Sequence, residues 1–152
     1  MKHLKSYKIF ELKEDELSDI IYNLKDICQD IEDKGFECKV YSMFDIDKIT
    51  IKIKPIVEYK DREEGPKHGF VDFYADDIDI DILERLVDYI KMEFPNSKEL
   101  VRVEFLNLGT LPLSYNKYKL ALSQKKPIRG TWSDKIQRSP MRSLSLVIRL
   151  NI

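Results

Sequence analysis

Between Leu17 and Ile53 the apolar residues keep two different rhythms in succession, and that succession restricts the fold more than any other feature. Leu17, Ile20, Ile21, Leu24, Ile27, Cys28 and Ile31 recur at the 3.6-residue interval of a single helix face. The acidic step Lys13-Glu14-Asp15-Glu16 opens this helix. Lys34-Gly35 closes it, placing a cation near the last carbonyls and then a residue free to turn left-handed. Directly afterwards Phe36, Cys38 and Val40 alternate with Glu37 and Lys39. Beyond the turn Asp45-Ile46-Asp47, Ile49, Ile51 and Ile53 alternate with Thr50, Lys52 and Lys54. A two-residue period belongs to strands with one dry and one wet face, so these segments are predicted to pair as an antiparallel hairpin. Pro55 lacks an N–H and is expected at a sheet edge or a bulge.

The same signals continue along the chain. Ser6 to Leu12 reads as a short strand, Lys60 to Lys67 as a charged loop turning at Gly65-Pro66, and Phe70 to Tyr74 as another strand. Leu83, Leu86, Val87, Ile90 and Phe94 mark a second helix that Pro95-Asn96 stops. Leu100 to Leu106 alternates, with Val101, Val103 and Phe105 on one side. The resulting order, βαβββαβ, predicts an α+β fold with two helices packed on one face of a mainly antiparallel sheet. At 152 residues and 43% hydrophobic the chain has the length and apolar content for one core. Leu24, Ile27, Ile51, Val87, Ile90 and Val103 are expected to meet in it.

From Asn107 the texture changes. Gly109, Pro112, Pro127, Gly130 and Pro140 interrupt every run, and Tyr115, Tyr118 and Trp132 stand among basic residues. Residues 1–106 are therefore expected to form the core, and residues 107–152, in the same domain, a long basic extended arm. A strand is expected at Leu113 to Leu122. A last strand, with Leu144, Leu146, Ile148 and Leu150 alternating, is expected to return to the sheet. Because the arm interrupts the core pattern, residues 123 to 142 are expected to be removable without loss of the fold.

Charge divides along the same line. Residues 107–152 hold nine basic side chains against one acid, Asp134, while the remainder holds 17 basic and 26 acidic residues; a net charge of −1 thus conceals +8 and −9. Such an asymmetry points to a basic surface offered to a polyanion or an acidic partner, or to halves that neutralise each other.

Strong catalytic signatures are missing from the sequence: it has no phosphate-binding glycine loop, nucleophile elbow, paired-cysteine metal site or histidine pair. His3 and His68 read as solvated histidines. Asp72, Asp76, Asp77, Asp79 and Asp81 lack the central glycine and terminal glutamate of a calcium loop, and Asp77 or Asp79 is expected to cap the second helix. Cys28 and Cys38 are expected as reduced core residues. Glu58 and Lys60, two residues apart at the end of a strand, match the glutamate–lysine pair of nucleases with the restriction-endonuclease fold, with Asp47 as the upstream metal ligand. In a chain so rich in Glu and Lys the same triplet also describes a plain wet strand end.

The reading that follows is a non-enzymatic binding or assembly protein without cofactor or metal. Its arm residues Lys125, Lys126, Arg129, Trp132, Lys135, Arg138, Met141 and Arg142 are expected to contact another protein or a second copy of the chain. Nucleic acid bound by the same arm is the alternative, and a metal-dependent nuclease with Asp47, Glu58 and Lys60 a further one. No apolar run reaches the roughly 18 residues of a membrane span and no secretory signal opens the chain, so no membrane partner is expected and the location is read as cytoplasmic. Abundant Lys, Ile, Asp and Glu with little Ala and Gly suits an AT-rich genome, such as that of a phage or low-GC bacterium; a phage-encoded chain would work in the host cytoplasm.

Overall fold

In the computed structural model, which describes residues 16–43, 47–56, 73–106 and 108–151, helix α1 (Glu16–Glu32) and strands β1 (Phe36–Met43) and β2 (Lys48–Pro55) occupy the segments that carry the two rhythms. Leu17, Ile20, Leu24, Cys28 and Ile31 are buried along α1, with Ile21 and Ile27 partly buried beside them. The helix ends at Gly35, which takes φ +95° and donates its N–H to the Glu32 carbonyl at 3.0 Å. Across the antiparallel hairpin Cys38 faces Ile53 and Val40 faces Ile51, as the alternation predicts.

The expected strand at Ser6 to Leu12 lies outside the described residues, as does that at Phe70 to Tyr74 but for Phe73, which forms an isolated bridge with Met141, and Tyr74, which precedes a turn instead of extending a strand. A 3₁₀ turn (Ala75–Asp77) then leads to α2 (Ile80–Glu93). Here the acidic run caps. Asp79 accepts the Asp81 N–H at 2.9 Å, and Asp77 accepts that of Tyr74 at 2.8 Å. Lys34 pairs with Asp79 at 3.4 Å and so ties the end of α1 to the start of α2. Leu83, Leu86, Val87, Ile90 and Phe94 are all buried.

The remaining elements are β3 (Lys98–Phe105), β4 (Gly109–Ser114), α3 (Tyr115–Ser123), α4 (Trp132–Arg138) and β5 (Met141–Arg149). The described chain is an α+β fold of four helices and one five-stranded antiparallel sheet in the order β1-β2-β5-β3-β4. The last strand of the chain returns to the sheet and fills its middle. Ile51, Leu146 and Val101 form one buried row across β2, β5 and β3, and Ile53, Leu144 and Val103 form the next. Each such side chain removed from water contributes roughly 1.5–3 kcal/mol. Pro55 pairs only with Phe36, beyond the last β2 residue that meets β5, so its missing N–H costs no second ladder.

The extended arm expected from Asn107 onward is not what forms. The segment Leu113 to Leu122, expected as a strand, leaves the sheet at Ser114, whose hydroxyl accepts the Lys117 N–H at 3.2 Å and starts α3. Tyr115, Tyr118 and Ala121 of α3, Ile136 of α4 and Met141 of β5 are buried in the same cluster as α1 and α2. In nine residues the helical period barely repeats, and tyrosines favour strands locally, so packing decides the outcome. The opposite face of the sheet carries Tyr41, Thr50, Lys52, Arg102, Ser145 and Val147, none of which joins that cluster.

Candidate functional site

Two polar clamps build the corner formed by α3 and α4. Tyr115 donates its hydroxyl to Glu84 of α2, and Lys119 pairs with the same carboxylate at 2.9 Å. The Tyr115 hydrogen bond, and then the Lys119 ammonium, hold the Glu84 carboxyl below the usual range; burial, and then Glu84 itself, push the Tyr115 hydroxyl up. Gln137 of α4 donates its Nε2 to the carbonyls of Ala121 at 2.6 Å and Gln124 at 2.8 Å, clamping α4 to the end of α3.

The turn between the helices is closed internally. Gly130 adopts φ +86° and donates its N–H to Asp134 at 3.0 Å. Thr131 caps α4 by accepting the Asp134 N–H, and its hydroxyl donates to the Ile128 carbonyl at 2.6 Å. The cap directs Trp132, the only tryptophan in the chain, outward from the first turn of α4.

Three large apolar side chains are exposed here: Leu120 at 63%, Ile128 at 76% and Trp132 at 60%. Leu120 and Trp132 flank a groove of about 360 Å³, floored by Leu111, Leu113 and Ala121 and rimmed by Lys117 and Gln124. Apolar residues exposed singly are ordinary, but exposed ones grouped on a groove mark a surface that another body covers. Lys135 lies 5.1 Å from the Trp132 ring centre, a cation–π distance. Lys117, Lys125, Lys126 and Arg129 are exposed and form no ion pair with a described residue.

Of the residues expected to bind, Lys125, Lys126, Arg129, Trp132 and Lys135 belong to this corner. Arg138 is on α4, paired with Asp134 at 3.1 Å. Met141, expected to contact a partner, is fully buried within the chain's own core and faces Phe105 and Phe73, because it lies on the core side of β5. Arg142 is half-buried on the sheet, where the β5–β3 register shifts. Of the nuclease set only Asp47 is described, in the turn between β1 and β2 at φ +49°; Glu58 and Lys60, like His3, His68 and Asp72, lie outside the described residues. Among the described residues no group of three or more His, Cys, Asp or Glu side chains is placed to hold a metal ion. Cys28 and Cys38 are buried and unbonded, and the contact with Cys28, with burial, pushes the Cys38 thiol up.

Sequence reasoning missed Leu120 and Ile128, which lie in segments read as strand and arm. It also passed over the polar positions of the strands as merely wet, although those of β2 are chiefly lysines. No helix among the described residues is long and apolar enough to cross a membrane. Comparison with protein-family models, with curated proteins and with solved structures finds no match.

Proposed function

We propose that the protein is a non-enzymatic binding or assembly protein that docks another protein at the α3–α4 corner. The observation that carries this reading is the single tryptophan, 60% exposed over an apolar groove rimmed by Lys117, with Lys125, Lys126 and Arg129 exposed in the turn between the helices and no ion pair to these four among the described residues. Tryptophan and arginine are the commonest energetic anchors of protein interfaces, whereas apolar side chains left in water lose about 25 cal/mol for every Å² not covered. The partner supplies apolar side chains for the groove and acidic groups for Lys117, Lys125, Lys126 and Arg129. Pro112, in the middle of edge strand β4, removes an N–H there, which favours side-chain docking in the groove over addition of a strand.

A second copy of the chain has the required acidity, since α1 and α2 expose Asp19, Asp26, Asp30 and Asp88. Nucleic acid is disfavoured at this corner. The basic residues of 107–152 are dispersed: Arg138 and Lys119 are ion-paired, and Arg142 and Arg149 lie on the sheet. The two adjacent, unbonded thiols fit a reducing compartment such as the cytoplasm.

A photo-crosslinking residue placed at Leu120 or Ile128, in the cells that make the protein, tests this. Tyr22 and Met92, exposed on α1 and α2, serve as control positions. A discrete protein adduct is expected at 120 and 128 but not at 22 and 92, and Trp132→Ala should reduce it about tenfold or more, the effect of losing roughly 1.4 kcal/mol of binding. Equal labelling at all four positions, or an adduct indifferent to Trp132→Ala, would contradict the proposal.

A further inference from the structure

The face of the sheet opposite the helices presents cations in rows. The strand register sets Lys39, Lys52 and Arg102 in one row across β1, β2 and β3, with Ser145 of β5 between the last two. Four residues further along the strands, Lys48, Arg149 and Lys98 form another row with the same outlook. Between them runs a row of Tyr41, Thr50, Val147 and Leu100. Successive rows on one face are about 6.8 Å apart, and five strands span about 19 Å.

Among the described residues the charges on this face are only slightly neutralised. Glu37 takes up Lys39 at 2.8 Å and Lys54 at 3.4 Å, and Glu104 accepts the Ser143 hydroxyl at 3.0 Å. Lys48, Lys52, Lys98, Arg102 and Arg149 form no ion pair with a described residue. A depression of about 580 Å³ lies over the middle of the face, lined by Lys52, Arg102, Thr110, Pro112, Ser143 and Ser145, with the Glu104 carboxylate, which accepts the Ser143 hydroxyl, among them. The acids of α1 and α2 belong to the helix layer on the other side of the sheet.

We infer that this face binds single-stranded nucleic acid, laid across the strands with phosphates on the two cationic rows and bases over the row between them. Distributed Lys and Arg are what phosphate contacts require, and hydroxyls such as those of Thr50 and Ser145 add donors. Tyr41, 46% exposed, offers a ring on which a base stacks, and the half-buried Leu100 lies in the same row beyond the buried Val147. A duplex keeps its bases inside, and a sheet about 19 Å wide does not enter a major groove of about 12 Å, so an intact double helix reaches only the charges. The site meets the groove of the α3–α4 corner at Pro112, which lines both, but uses none of Leu120, Ile128 and Trp132.

Fluorescence anisotropy with a labelled oligothymidylate of about 12 nucleotides, titrated at about 50 mM and about 200 mM salt, tests the inference. The wild type is expected to bind, with Lys52→Ala/Arg102→Ala weakening binding about tenfold or more and reducing the salt slope by about 1.4, two contacts at about 0.7 each. Tyr41→Ala should weaken binding about fivefold or more, while Trp132→Ala should leave it unchanged. Thermal melts establish that each variant is folded. Four outcomes would overturn the inference: no binding at the lower salt, a duplex or polyglutamate competing as well as the single strand, indifference to Lys52→Ala/Arg102→Ala, or loss through Trp132→Ala alone. Because Trp132→Ala acts on the corner and Lys52→Ala/Arg102→Ala on the sheet face, failure of one reading leaves the other standing.

Discussion

At the scale of single residues, two polar side chains near the corner behave differently. Tyr118 is fully buried with no hydrogen-bond partner for its hydroxyl among the described residues, and burial, with Asp76 adding to it, pushes its pKa up. A buried hydroxyl without a partner costs about 1–3 kcal/mol, so Tyr118→Phe is expected to raise stability by about 1 kcal/mol in urea unfolding. A loss instead would show that the hydroxyl is satisfied. Glu84 is the opposite case, since Tyr115 and Lys119 favour its charged form and lower its pKa. Its stabilisation is present above the ordinary glutamate value of roughly 4.3 and is lost as pH falls through the lower folded value. The gap in melting temperature between the wild type and Glu84→Gln is therefore expected to be full near neutral pH and to close in acid; a gap independent of pH would contradict this. Sequence alone distinguishes such residues poorly. Met141 and Trp132 look alike as apolar residues among basic ones, yet one faces Phe105 in the core and the other faces solvent.

Among the elements, legibility followed length and regularity. The α1 stripe and the alternation of β1 and β2 were readable because each repeats its period several times over one continuous interface. Leu113 to Leu122 was misread because a strand and a helix meet inside it at Ser114, and neither half is long enough to show its own period. β5 announced itself as a strand, but its place between β2 and β3 follows from pairings distant in sequence, which no local pattern encodes. The burial of Ile136 and Met141 argues against the expectation that residues 123 to 142 can be removed without loss of the fold. Ile136 and Met141 are fully buried, so Ile136→Ala and Met141→Ala are each expected to cost about 2–5 kcal/mol, close to the cost of Ile51→Ala. Deleting residues 123 to 142 should abolish the cooperative unfolding transition. A deletion product that still unfolds cooperatively at the wild-type urea midpoint would show that α4 is not part of the core.

In the whole molecule the contrast between an acidic 1–106 and a basic 107–152 does not persist as two halves, because β5 carries the end of the chain into the middle of the sheet. Charge separates by layer instead. Acids concentrate on α1 and α2, while cations occupy the opposite sheet face and the α3–α4 corner. A polyanion or an acidic protein would thereby be oriented before contact despite a net charge of −1. Since Trp132 is the only tryptophan, its fluorescence reports on the corner without any label. The most direct measurement is quenching of that emission by iodide and by caesium, on the free protein and again on the cross-linked complex. Lys117, Lys125, Lys126, Arg129 and Lys135 around an exposed ring should give solvent-like emission that iodide quenches more strongly than caesium at low salt, with both effects lost in the complex. A blue-shifted emission resistant to both ions in the free protein, or quenching unchanged in the complex, would contradict an exposed cationic docking corner.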